Sequence, residues 1–165
     1  MASRLEAGES NFILLQQKGR DFLAAARVLF ESHPNPINTK HGMPIAFLLG
    51  HAVEVTLKGL ISIELIPSTE DVPKGHDLQA LWENPLISAS LKLTNTEIDV
   101  LSLLNGVYGH PHLVRYPRLG LYELPNPLGF ELIIKIVDRL SDQLDTLARA
   151  QDLLDPSVKN RLGSK

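Results

Sequence analysis

The chain has 165 residues, no cysteine and a formal net charge of −3, with a pI of about 6.0. The absence of cysteine excludes a disulfide framework, thiol catalysis and Cys-ligated zinc, and fits a reducing compartment. The acidic balance argues against a protein built to ride on a phosphate backbone, which shows a basic excess, and 44 % apolar with 21 % charged residues is the mixture of one globular domain.

The opening "MASRLEAGES" is polar and has no apolar h-region, so no targeting segment is expected. Phe12, Leu15, Gly19, Phe22, Ala26 and Leu29 step by three or four, which predicts a first helix over about 9–32. "SHPNPINTKHG" (32–42) breaks it with two prolines. A second helix follows from Pro44, a favourable first-turn residue, to about Ile66. This is the most apolar part of the chain. It is long enough to span a bilayer, but His51, Glu54, Lys58 and Glu64 are costly at mid-membrane. The expectation is a cytoplasmic protein with no membrane partner.

"HDLQALWE" (76–83) starts a short helix that Asp77 is placed to cap. Thr94 and Glu97 make a capping box for a helix over about 95–107. Residues 105–127 form a long connection rich in Gly and Pro, of a length that is often functional. Asn126 caps a last helix with Pro127 in its first turn and the stripe Ile133, Ile136, Val137, Leu140, Leu144 and Leu147. No period-two run is sustained. The fold class expected is all-α: an up-down four-helix-type bundle over residues 1–154, with an additional short helix, a long loop before the last helix and a frayed tail at 155–165.

The second helix poses a question of its own. At about 100° per residue, Ile45, Leu48, Leu49, Ala52, Gly59, Leu60 and Ile63 cover one broad face, while His51, Glu54 and Lys58 fall together on the other. A helix apolar nearly all round sits centrally, so this polar stripe is expected to face a cleft or another surface. Its large apolar circumference also suggests that a second chain covers part of it. Glu54 and Lys58 are an i,i+4 pair, which as a solvated salt bridge means little. The sharper expectation is that Glu54 orients a cation from elsewhere. Arg115, between Val114 and Tyr116 and ahead of Pro117, is the candidate, with His76 close by.

Taken together, "HAVEVTLKGLI" (51–61), "KGHDLQALWE" (74–83) and "VRYPRLG" (114–120) resemble, in that order, the HEPN domain (higher eukaryotes and prokaryotes nucleotide-binding). The resemblance covers roughly residues 9–150 and implies an α-helical up-down bundle. It also implies a homodimer, a nucleotide or RNA ligand, and a nucleotidyltransferase or antitoxin partner. The ribonuclease members of that family use an Arg, four to six residues, then a His near the start of the last long helix. Here that helix has no histidine, and the match Arg27-x5-His33 falls at the end of the first helix. What carries over is "His76-Asp77-Leu78" and "Arg115-Tyr116-Pro117".

Three readings remain. The first is a non-catalytic HEPN-like binding or interaction protein, with a pocket for a nucleotide, a small anion or a partner chain made by His51, Glu54, Lys58, His76, Asp77, Arg115 and Tyr116. The second is a divergent metal-independent nuclease or toxin component using His76, His110 or His112 with Arg115 or Arg118. The third is a purely structural bundle. His110-Pro-His112 is a poor chelate without a third ligand, so no metal and no cofactor is expected. Trp82 and Tyr108 have rings able to stack on a base, but Trp82, beside Leu78 and Leu81, reads as core.

Overall fold

The first long helix buries a strict seam. Phe12, Gln16, Gly19, Leu23, Ala26 and Phe30 recur at alternating steps of four and three and are all buried, the spacing that keeps one line of a helix against a neighbour. The computed structural model describes residues 4–35, 41–65, 72–109 and 123–150, with residues 4–11 as backbone only. Helix α1 spans Arg4–Ser32. It begins earlier than apolar spacing predicts, because its first turns consist of polar helix formers that leave no hydrophobic period to read. The remaining helices are α2 (Gly42–Glu64), α3 (Leu78–Trp82), α4 (Ser88–Leu91), α5 (Asn95–Tyr108) and α6 (Pro127–Ala150). No strand occurs among the described residues. The protein is an all-α helical bundle.

Helix α2 is the axis of the bundle. It packs most extensively along α1 and also touches α3, α5 and α6. Sixteen of its 23 residues are buried, and Pro44 and Glu64 are its only exposed ones. It is long and apolar enough to cross a membrane, but most of that surface lies inside the fold. Its apolar circumference is therefore satisfied within one chain, and the idea of a second copy rests on the resemblance alone. Gly19 sets how closely α1 approaches: a Cβ there would lie 2.7 Å from Thr56 Oγ1. Side chains then tie α1 to an antiparallel α6. Arg20 and Gln16 both reach Asp145, and Arg27 reaches Asp138. Arg27 of the Arg-x5-His match is thus an inter-helix pair, while His33 stacks on His41 with ring centroids 3.6 Å apart.

The shorter elements follow local chemistry. Asp77 caps α3 by accepting from Gln79 N at 3.0 Å and Ala80 N at 3.3 Å. The helix is shorter than the predicted 76–83, so His76 and Asp77 stand in the turn before it. Trp82 is core, 5 % exposed. The four-residue α4 has no signature in periodicity, being barely one turn, and it ends at Lys92 in the left-handed region (φ 47°). The Thr94–Glu97 capping box forms, and Glu97 also pairs with Arg139 of α6 at 2.8 Å. Asn126 accepts from Gly129 N at 2.7 Å to start α6. The predicted stripe of α6 from Ile133 to Leu144 is buried, with Leu147 packed against the core.

Candidate functional site

The polar stripe of α2 faces the end of α5 and the turn ahead of α3. Its centre is Glu54, 4 % exposed, whose carboxylate accepts from three directions. Lys58 Nζ lies 2.7 Å from Oε1, His76 Nδ1 lies 2.9 Å from Oε2, and the Tyr108 hydroxyl donates to that same Oε2. Tyr108 also bonds His51 Nδ1 at 2.7 Å. One carboxylate so joins His51, Lys58, His76 and Tyr108 into a single network.

Each partner is positioned by a local feature. Lys58 sits one turn beyond Glu54 and also donates to the Gly75 carbonyl at 2.9 Å, which fastens the turn to α2. Gly75 has φ +112°, a conformation that strains any residue with a Cβ. This turn aims its carbonyl at Lys58 and the next side chain, His76, at Glu54. Asn105 of α5 holds the turn from the other side, accepting from Leu78 N at 2.8 Å and donating to Asp77 Oδ1 at 3.1 Å. Tyr108 is buried with its ring directly over Gly50, where a Cβ would fall 2.2 Å from Tyr108 Cδ2. His51 stacks on Phe22 (4.8 Å, 17°) and meets Phe47 edge-on (4.4 Å, 89°).

The electrostatics are self-consistent. Burial alone would raise the Glu54 carboxyl, but hydrogen bonds from His76, Lys58 and Tyr108 outweigh it and hold the pKa below the ordinary value. Burial, with the hydrogen bond to Glu54 and its charge, drives the Tyr108 hydroxyl far above its usual range, so it stays a neutral donor. Burial also lowers His51, against the attraction of Glu54 and with help from His76 and Lys58. Glu54 and Lys58 cancel, and His76 is the network's outlet: its side chain is 51 % exposed. Its second ring nitrogen has no hydrogen bond among the described residues.

No match to known proteins emerges: no family model, no curated protein and no solved structure is similar to this chain.

Of the residues expected at the site, His51, Glu54, Lys58 and His76 converge. Asp77 lies beside them, with its carboxylate engaged by the α3 cap and Asn105. Arg115 and Tyr116 lie outside the described residues, as do His110, His112 and Arg118, and so does the expected Arg115–Glu54 pair. Asn105 and the Phe22–Phe47 wall were not anticipated as site residues, and Tyr108 was read only as a ring able to stack on a base. A signal for Tyr108 existed in Gly50, a bare position within an apolar helix next to His51, which marks a close approach by something large. Among the described residues no three of His, Asp and Glu converge on a point that would hold a metal ion.

Proposed function

We propose that this cluster of side chains binds an anionic small ligand, a nucleotide phosphate or a related oxyanion, without cleaving it, in a HEPN-like bundle. The observation that carries the reading is the posture of His76. A buried carboxylate holds it through Nδ1, while half of its side chain stays exposed beside Lys58. If His76 carries protons on both ring nitrogens, it donates inward to Glu54 and outward to the ligand. The lysine has three donors, and Glu54 and Gly75 occupy two. Arg115 and Tyr116, which the resemblance adds to the same pocket, belong to this proposal.

Cleaving RNA without a metal needs a base, an acid and a cation arranged around one phosphate. In the resembled family these come from the last long helix, which here offers Lys135, Arg139 and Arg149 but no histidine. One observation favours a second reading, a divergent metal-independent ribonuclease: a carboxylate that holds a histidine by Nδ1 also orients a general base. The experiment separates the two. The protein is titrated with inorganic phosphate, pyrophosphate and ATP by calorimetry, and separately incubated with total RNA with and without EDTA. The expected result is binding that weakens at least tenfold in His76→Ala, and intact RNA. RNA cleavage that disappears in His76→Ala, with the fold preserved, would establish the second reading. No binding of any of the three anions would reject the first.

A further inference from the structure

Tyr108 has a single hydroxyl proton and stands between two groups that compete for it. Glu54 is ionised and has no proton to give, so the tyrosine donates to Glu54 Oε2 and offers a lone pair to its other neighbour. His51 Nδ1, 2.7 Å from the hydroxyl, must therefore carry the proton of that bond. The same logic makes His76 Nδ1 a donor to Glu54 Oε2. The chain of bonds runs inward from both imidazoles and ends on one carboxylate.

We infer that Tyr108 locks His51 in the neutral Nδ1–H tautomer, so that Nε2 is a standing hydrogen-bond acceptor and this end of the network takes a donor group but refuses an anion. The two histidines then play opposite parts. With both of its ring nitrogens protonated His76 takes the anion, and His51 reads an amino or hydroxyl group on the same occupant. Both imidazoles lie against the Tyr108 ring, with centroids 5.1 and 6.1 Å from it, so they share one neighbour. The favoured ligand class is an anion that carries an N–H or O–H donor, in preference to a bare oxyanion.

The surroundings of His51 support this. Phe22 and Phe47 pack on the ring and offer no charge. The charged and titratable groups that bear on it are Glu54, Tyr108, His76 and Lys58, and Lys58 and His76 oppose a second proton. Burial opposes it too. A second proton on Nε2 would put a cation between two aromatic rings, with its counter-charge already shared among three donors.

The tautomer follows from the hydrogen-bond geometry around an ionised Glu54; the role in ligand choice rests on the reading of these residues as a binding site. Long-range ¹H–¹⁵N spectra of the histidine rings test both. In the free protein at neutral pH, His51 is expected to show a protonated Nδ1 and a bare Nε2. Tyr108→Phe removes the acceptor and should return His51 to the Nε2–H form that an unconstrained imidazole prefers, a change that a merely packing role would not produce. His51 protonated on Nε2 in the wild-type protein would overturn the lock, whether or not the variant folds. Added inorganic phosphate should shift the His76 nitrogens and leave those of His51 in place. Phosphate that moves His51 as much as His76 would overturn the role in ligand choice. Phosphate that moves neither would reject the binding reading and that role with it, while the tautomer is still decided by the spectrum of the free protein.

Discussion

Replacing Glu54 with Gln keeps the shape of the side chain and removes its charge. The amide presents one oxygen and one NH₂ group where three donors now converge. Whichever way it turns, a donor faces a donor. If the oxygen keeps His76 and Tyr108, Lys58 loses its counter-ion; if it keeps Lys58, two donors at once are left unmatched. Breaking a buried charged pair costs about 3–5 kcal/mol when the stranded charge has no other partner. Here Lys58 retains the Gly75 carbonyl with its side chain 15 % exposed, and His76 turns to water with its side chain 51 % exposed. Both escapes lower the cost, and about 2–3 kcal/mol is expected, within the range for lost hydrogen bonds to a buried charged group. For a chain of this size that corresponds to a drop in Tm of roughly 4–12 °C. Urea unfolding followed by circular dichroism measures it. Adding Lys58→Met to Glu54→Gln removes the stranded cation, so the double variant should lose less than the sum of the two singles, by about 1 kcal/mol of coupling. A Glu54→Gln variant within about 0.5 kcal/mol of wild type, the range of ordinary surface substitutions, would refute the view of Glu54 as the organising charge.

Two further outcomes are expected. Glu54, Glu97 and His51 all have pKa values lowered in the fold, so the unfolded chain binds more protons and stability rises with pH. The His51 contribution should be complete above its ordinary value of 6.5 and fade below it, and those of Glu54 and Glu97 should be complete above 4.5 and be lost as pH falls through the folded values. Tyr108 is raised, so its contribution should hold below 10.0 and decline above it. Urea unfolding across the pH range measures this profile, and a stability that is flat between pH 3 and 7 would contradict it. Asn105→Ala frees Leu78 N and Asp77 from α5, and should cost about 1–2 kcal/mol. It should also loosen the turn that carries His76, seen as faster amide exchange at residues 75–78, whereas unchanged exchange there would show that Lys58 alone holds the turn.

The helices are largely local statements, and that is why spacing alone located most of them. A capping box at Thr94 and Glu97, an aspartate ahead of "LQALW", and Asn126 followed by Pro127 each satisfy backbone groups within three residues, so their chemistry is complete in a short window of the chain. The heptad-like seam of α1 and the stripe of α6 are likewise set by helical geometry. The start of α1 and the single turn of α4 escaped notice because neither carries enough apolar residues to show a period.

The polar stripe of α2 was legible for the same reason: His51, Glu54 and Lys58 share a helix face whatever surrounds them. Its partners were not. His76 and Tyr108 lie 22 and 54 residues beyond Glu54 in sequence and reach it only because α3 and α5 fold back against α2. Nothing in their own neighbourhoods encodes the distance. A tyrosine at a helix end reads equally well as core, as a stacking platform or as a proton donor. The bare surface of Gly50, the positive φ of Gly75 and the clamp of Asn105 decide among these, and they act across space. A carboxylate buried in a helix demands donors, and the sequence carries that demand. Packing chooses which donors answer, because hydrogen bonds depend on separation in space and not on separation along the chain.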